Sequence, residues 1–593
     1  MDYSLITEMY EKIEATTKRL EITDHLISLF KKTPASVIDK VVYLTQGKLY
    51  PDYMGIEVGI AEKLGIRALA LVSGLGEAAI LQNLEKTGDL GETAASILKK
   101  RVQVALMREP LTVERVYETL DKIARAVGEG AQETKIRLLS SLLIDAEPRE
   151  AKYIMRTVTG KLRLGLADMT ILDALAAAYC GSREERPRLE RAYNLSSDLG
   201  SVARVVVEMG IKGVEQFKVV VGKPIRPMLA ERLPSANEIL EKLGGVGAAE
   251  YKYDGERLQA HKDGGKVMLF SRRLENITNH YPDACKLIQQ YVHVKEAIVE
   301  CECVAVNPET DELMPFQELM HRRRKYRIEE AMETYPVSLF MFDALYVDGQ
   351  DLTTAPYPER RKSLEKIVEE SDRVRIAKAL VTDDPEKLEK FFEEAVSEGC
   401  EGLVVKSVAS DSIYQAGARG WLWIKLKRDY QALLTDTLDL VVVGAFHGRG
   451  KRGGTYGALL MAAYDDEKDT FPTISKCGSG FTDEDLAKLP TLLKDYKIDH
   501  RHARVESQLK ADVWFIPAVV LEIIGAEITL SPIHPAGMDI IRKGSGLAVR
   551  FPRFTGNYRN DKAPEDATTV KEIVEMYRRQ LKKIAEKPSE AVV

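Results

Sequence analysis

Glu250-Tyr251-Lys252-Tyr253-Asp254-Gly255-Glu256-Arg257 reads as the end of one strand, a bend at Asp254-Gly255, and the start of a second strand. A lysine beside a sharp bend is held in place and can face a pocket. The bland alternative is a solvated lysine in an ordinary turn, and an isolated K-x-D-G string is common by chance. The surrounding segments decide between the two.

After Arg257 a strand runs to Lys262, and Asp263-Gly264-Gly265 reads as a hairpin turn into KVMLFSRR, residues 266–273. Pairing Lys262 with Lys266 sets Arg257 roughly opposite Ser271 and beside Arg272. Two guanidiniums then lie at the end of the hairpin where Lys252 sits, and guanidinium forks match phosphate oxygens. In Trp421-Leu422-Trp423-Ile424-Lys425-Leu426-Lys427, strand alternation places Lys425 and Lys427 on one face, with Arg419 preceding them. Positive neighbours lower a lysine pKa, and a nucleophilic lysine must lose its proton. One set of cations is therefore expected to bind phosphate and activate Lys252.

Carboxylates complete the set. In IVECECVAV, residues 298–306, alternation puts Glu300 and Glu302 on one face and Cys301 and Cys303 on the other; Glu401 begins EGLVVKS, which carries Lys406. Glutamates in strands are usually edge charges, but these strands carry apolar runs that should be buried, and a buried carboxylate needs a partner. Magnesium together with phosphate is a natural one. Phe342, in Leu339-Phe340-Met341-Phe342-Asp343, is open to two readings: a core side chain, or an aromatic that stacks on a base.

Working outward, the chain has 593 residues, and at roughly 100–200 residues per domain this predicts about three to five domains. A hydrophobic share of 45% supports ordinary globular cores. The net charge of −6 rules out a polycation, yet nucleic-acid binding needs only a local basic face. The six cysteines (Cys180, Cys285, Cys301, Cys303, Cys400, Cys477) are too scattered for a disulfide framework. Cys301-x-Cys303 has no second cysteine pair to complete a zinc site, so buried thiols in a reducing cytosol are expected. The N-terminal stretch has no apolar h-region, and no run reaches about 18 apolar residues. A soluble, cytoplasmic protein is expected.

Residues 1–222 read as all-α, with apolar residues at three- and four-residue steps, as in VERVYETLDKIARAV, residues 113–127. Pro224 and Pro227 mark a linker. Residues 223–430 alternate β-type segments with helical ones and predict an α+β domain. Residues 431–593 carry short strands with Gly-rich turns, which suit a small β-barrel, followed by a C-terminal helix in TTVKEIVEMYRRQLKKIAEK.

Taken together these segments resemble the covalent nucleotidyltransferases, and specifically the ATP-dependent DNA ligases of archaeal and eukaryotic type. KYDGER at 252–257 resembles motif I, and FSRR at 270–273 fits the next element. ECE at 300–302 resembles motif III, with Cys301 where the family usually has Gly. LFMFDALYVDG at 339–349 resembles motif IIIa, EGLVVKS at 401–407 motif IV, WIKLK at 423–427 motif V, and VRFPRFTGNYRNDK at 549–562 motif VI. Each alone is weak; six in order along the chain are specific.

The resemblance implies a helical DNA-binding domain, an adenylation domain and an OB-fold domain. It implies that Lys252 becomes adenylated with ATP, that Glu250 hydrogen-bonds adenine, and that Phe342 stacks on it. Arg257, Arg272 and Glu302 would contact ribose and phosphate; Glu302 and Glu401 would hold Mg2+ or Mn2+; Arg419, Lys425 and Lys427 would grip phosphates. Arg550, Arg553, Arg559, Asp561 and Lys562 match motif VI, which would orient pyrophosphate. The implied activity is the sealing of nicks in duplex DNA during replication, repair and recombination, by a monomer.

The N-terminal region also resembles the family's DNA-binding domain in EAKYIMRTVTGKLRLGLADMTILDALA, residues 150–176. Lys161 and Arg163 there are either phosphate contacts or a solvated helix end. The run His321-Arg322-Arg323-Arg324-Lys325 is either DNA-facing or a solvated helix. Relatives can dock on a sliding clamp through a glutamine followed by paired aromatics. The corresponding Gln103-Val104-Ala105-Leu106-Met107 lacks aromatics, which argues against clamp docking there. Two rivals use similar parts: an RNA-directed transferase with the same lysine chemistry, against which the long helical region speaks, and a DNA clamp without turnover, against which Lys252, Glu302, Glu401 and Lys425 speak.

Overall fold

In Val113–Arg125 the buried residues are Val113, Val116, Tyr117, Leu120 and Ile123, one stripe of a helix, and the Thr112 side chain accepts from the Arg115 N–H at its start. Pro148–Val158 starts with Pro148 and a capping box between Glu147 and Glu150. Such local signals repeat from Tyr3–Glu14 to Leu199–Val214, and among the described residues no strand precedes Leu229. The structure is a computed structural model. It describes residues 1–100, 109–306, 313–314, 316–322, 328–398, 400–427, 436–448, 455–525, 527–531, 533–541, 543–550 and 552–585. The Gln103–Met107 stretch and residues 323–325 of the basic run lie outside the described residues. The chain divides into two units: Met1–Leu81 with Leu90–Lys427, and Arg428–Val593 with Gln82–Asp89. No single described helix is long and apolar enough to cross a membrane.

Within the first unit, the segment expected as a linker is tied down on both sides. Arg226 N–H donates to Asn194 O (2.8 Å), and its guanidinium donates to the Tyr193 hydroxyl (2.6 Å). On the other side, Ile225 N–H donates to Gln259 Oε1 (2.7 Å) and Met228 N–H to the Tyr414 hydroxyl (2.9 Å). Ile225 and Met228 are buried.

The strands that follow are β1 (Leu229–Arg232), β2 (Gly247–Lys252), β3 (Glu256–Asp263), β4 (Lys266–Ser271), β5 (Glu296–Ala305), β6 (Val337–Val347), β7 (Gln350–Asp351), β8 (Val374–Ile376), β9 (Ala379–Thr382), β10 (Gly402–Ser407) and β11 (Arg419–Lys427). They form two sheets, one ordered β1-β11-β10-β2-β9 and the other β4-β3-β5-β6-β7 with β8 beside β6. Tyr251, Leu403, Ile424 and Phe340 share a core with Leu388 and Phe391 of the helix Pro385–Ser397.

The hairpin register differs from the sequence expectation by one residue. Asp263 pairs with Lys266 and Lys262 with Val267, so the turn is the two residues Gly264-Gly265. Gly264 has φ +53°, and two-residue hairpin loops favour glycine with positive φ because that twist matches the strands. Lys262, expected beside the turn, is buried instead and donates to Val292 O at the end of the helix Pro282–Tyr291 (2.5 Å).

The second unit contains β12 (Leu438–His447), β13 (Tyr456–Ala462), β14 (Phe471–Cys477), β15 (Lys497–Ile498), β16 (Val505–Glu506), β17 (Val513–Phe515), β18 (Val520–Ile524), β19 (Glu527–Ser531), β20 (Gly546–Arg550) and β21 (Arg553–Tyr558). β14, β13, β12, β18 and β21 pair antiparallel in that order. A parallel bridge, Ser479↔Arg553, joins the two ends. The result is an OB-like sheet half-barrel around Leu440, Val442, Leu459, Ile474, Leu521 and Phe554, with the helix Val570–Ala585 packed through Ile573 and Val574.

Candidate functional site

Lys252 ends β2, opposite Gly402 of β10. Its Nζ lies 2.8 Å from Glu401 Oε2, and Lys427 Nζ lies 2.5 Å from the same oxygen. Two glycines permit this crowding. A Cβ on Gly402, whose φ is +140°, would fall 2.2 Å from Leu426 O, and one on Gly255 would fall 2.3 Å from Cys303 O. The bend after Lys252 is thereby pressed against β5, and β10 against β11.

The charge state of Lys252 differs from the sequence expectation. Burial alone would push its pKa down, but Glu401 and Glu302 more than offset it, so the pKa stands above the ordinary lysine value. The lysine that loses basicity is Lys425, lowered to about 8 by burial and then by Arg232, Lys427, Arg419 and Lys252. The expectation counted the cations and omitted the nearer carboxylates. Glu401 itself is held down at about 2: burial opposes this, and the Lys252 and Lys427 ammoniums outweigh it. Glu302, half-buried, is pushed up to about 7 by burial, with Glu401 and Asp254 adding to the rise and Lys252 and Arg257 opposing it.

Arg257 pairs across the ladder with Glu302, but its guanidinium reaches Glu300. Its Nη2 donates to Glu300 Oε2 (2.8 Å) and to the Tyr414 hydroxyl (3.2 Å), while Nη1 donates to Met228 O (2.8 Å). The Arg257 Nε is buried and has no hydrogen-bond partner among the described residues. The guanidinium lies over the Phe342 ring at 5.4 Å and the Trp423 ring at 5.5 Å.

Glu250 is buried two residues before Lys252. Its Oε1 accepts from the Tyr357 hydroxyl (2.5 Å) and Arg361 Nη1 (3.0 Å), and its Oε2 lies 2.7 Å from Lys406 Nζ. Phe342 is half-buried at the junction of two cores.

Lys252, Glu302, Glu401, Lys425 and Lys427 therefore converge electrostatically, and Glu250, Phe342 and Arg257 form a neighbouring group. Arg272 and Arg419 are exposed at their strand ends. Sequence reasoning placed Glu300 beside Glu302 without its link to Arg257, and missed Tyr414, Tyr357 and Arg361. The signal available was the number of arginines, Arg257, Arg360 and Arg361, near carboxylates on buried strands. Cys301 and Cys303 are buried thiols in the core behind β5.

The basic run needs a correction. Arg322 is fully buried, and its guanidinium holds Asp283 with two hydrogen bonds (2.6 and 2.8 Å), so this residue is structural rather than DNA-facing. His321 stacks on Tyr335. In the helical region, Lys161 pairs with Glu62 at 3.3 Å, and Arg163 has φ +59°.

In the second unit, Arg559 Nη1 donates to Asp439 Oδ2 (2.7 Å) and Nη2 to Asp561 Oδ2 (2.8 Å); Lys562 Nζ donates to the same Asp439 oxygen (2.7 Å). Arg553 is exposed. Arg550 ends β20, and its side chain lies outside what the structure describes.

Comparison with known proteins agrees along the chain. The family described as the DNA ligase N terminus matches residues 2–176, the ATP dependent DNA ligase domain residues 227–427, and the ATP dependent DNA ligase C terminal region residues 452–562. DNA ligase 2 of Thermofilum pendens is 59% identical over 590 residues, covering 98% of each chain. The DNA ligase of Staphylothermus marinus is 52% identical over 598 residues, covering 99% of this chain and all of that one. A solved structure named Pmar-Lig_Pre covers 94% of this chain and 99% of its own at TM-score 0.53 and 17% identity, a likeness of fold. Spanned by three ligase family models and matched nearly end to end by these relatives, the chain belongs to the ATP-dependent DNA ligases.

Proposed function

We propose that Lys252 carries the AMP group in the nick-sealing reaction of this ligase. The observation that carries this reading is the convergence of Lys252 and Lys427 on one oxygen of Glu401, with Glu302 acting on Lys252 and Lys252 acting in turn on Lys425. Lys252 Nζ first gives up its proton, for which the Glu401 carboxylate 2.8 Å away is an acceptor. Its lone pair then attacks the α-phosphorus of ATP, an N–P bond forms as the P–O bond to the leaving group breaks, and pyrophosphate leaves. AMP then passes to the 5′-phosphate of a nick. The 3′-hydroxyl attacks that phosphate, and AMP departs. Charge neutralisation and positioning supply most of the acceleration in such transfers.

Lys425, Lys427 and Arg419 would bind phosphates; Arg257, Arg272 and Glu302 would contact ribose and phosphate; Glu250 and Phe342 would recognise adenine. For the metal, the donor set is small: among the described residues no cluster of three His, Cys, Asp or Glu suited to a metal occurs. Glu302 and Glu401 still fit Mg2+ or Mn2+, because magnesium commonly takes one or two carboxylates with phosphate oxygens and water. Burial raises the Glu302 pKa to about 7 against the opposing Lys252 and Arg257, and a divalent ion beside it would lower it again. A bound divalent ion would neutralise phosphate charge.

Three domains are proposed: 1–222 for DNA binding, 223–430 for adenylation, and 431–593 as an OB-fold with a C-terminal helix. Arg550, Arg553, Arg559, Asp561 and Lys562 would orient pyrophosphate. The substrate is nicked duplex DNA, the working form a monomer, and the place of action the cytoplasm at the nucleoid, in replication, repair and recombination. Incubation with α-labelled ATP and magnesium tests the core of this reading. Label should appear on the unaltered chain and vanish in Lys252→Ala; undiminished label in the variant would refute the assignment.

A further inference from the structure

Lys406 touches both residues proposed to recognise the base, although they lie on different sheets. Its side chain is 1% exposed, and Nζ sits 2.7 Å from Glu250 Oε2. The same ammonium donates to the Phe342 backbone carbonyl (3.0 Å). It faces the rings of Trp423 (4.5 Å), Tyr357 (4.8 Å) and Phe342 (5.1 Å). With Tyr357 and Arg361 occupying Oε1, the Glu250 carboxylate is held on three sides.

We infer that Lys406 is a positioning residue for nucleobase selection, fixing Glu250 and Phe342 relative to each other so that the site takes adenine over guanine. The inference rests on the proposed roles of Glu250 and Phe342. An ionised carboxylate is an acceptor only. It welcomes the exocyclic amine of adenine and repels the carbonyl that guanine presents at the same position. That discrimination requires the carboxylate to be aimed and the stacking ring to be fixed. A buried ammonium bound to both achieves this, and Lys406 reaches no reacting atom.

The test uses the full chain with α-labelled ATP and α-labelled GTP, following nucleotide transfer to Lys252. Lys406→Met should raise KM for ATP about tenfold with a smaller change in kcat, and cut the preference for ATP over GTP about tenfold. Lys406→Arg, which keeps a cation, should retain most of that preference. In the double variant Glu250→Gln with Lys406→Met, discrimination should be no worse than in Glu250→Gln alone, because the two act as one unit. An unchanged preference in Lys406→Met, while Phe342→Ala and Glu250→Gln lose theirs, would overturn the inference and leave the base site standing. An unchanged preference in those two variants would overturn the base-site assignment itself. If Lys406→Met does not fold, Lys406→Gln takes its place in the same assay, and an unchanged preference there sinks the inference.

Discussion

Lys252 Nζ and Glu401 Oε2 are 2.8 Å apart, so the proposed nucleophile rests on the carboxylate proposed to hold the metal. Lys427 competes for the same oxygen. Glu401→Gln should therefore lower magnesium-dependent label transfer to Lys252, on the order of a hundredfold, the scale of losing one electrostatic group in a closed site. Titrating magnesium in a single-turnover assay checks this. Full activity at ordinary magnesium would remove Glu401 from the site.

Lys425 bears on the alkaline side. Its pKa is lowered to about 8, so its charge is complete well below pH 8 and lost above it. If it grips phosphate, KM for ATP should climb as the pH passes 8. Lys425→Arg should flatten that climb, because a guanidinium stays charged throughout. Identical KM–pH curves for the two proteins would assign the climb elsewhere.

His261 bears on the acid side. It is buried; Nδ1 accepts from Gly222 N–H (2.9 Å), which leaves Nε2 to donate to Gln259 Oε1 (3.0 Å). Burial pulls its pKa down to about 3, against about 6.5 in the unfolded chain. The unfolded state thus takes up the proton first. The stabilisation is whole above pH 6.5 and falls by about 1.4 kcal/mol per pH unit as the pH drops toward 3. Urea unfolding at pH 7 and pH 5 should show a larger loss in the unaltered chain than in His261→Gln. Equal losses would mean that this histidine titrates normally.

Arg360 and Asp343 are both fully buried, joined at 2.8 and 3.1 Å, and Arg360 also donates to the carbonyls of Ala355 and Ser412. Removing one partner strands a charge, so Arg360→Met should cost about 3–5 kcal/mol. Thermal unfolding measures it; an unchanged Tm would show that Asp343 finds another partner or a proton.

The helical region, the mixed domain and the final sheet were legible because local signals agree: the stripe in Val113–Arg125, the alternation in β5, the glycine turns. The register of β3 on β4 was not, because choosing between two and three turn residues depends on twist rather than composition. Alternation placed Glu300 beside Glu302, but only the fold shows Arg257 reaching Glu300. The basicity of Lys252 was misjudged for a similar reason. Glu401 lies far along the chain, and its distance from the ammonium is set by Gly402 packing against β11. The burial of Arg322 was invisible because its partner Asp283 lies on another element.

The Met228 backbone is held on both sides of its Cα: its N–H donates to the Tyr414 hydroxyl and its carbonyl accepts from Arg257. A fragment started downstream of that residue, as a convenient way to isolate the nucleotide-handling half, would remove part of that half's own wall. Weak labelling in such a fragment would reflect a careless incision, and any dissection of this enzyme has to leave the strap before β1 attached.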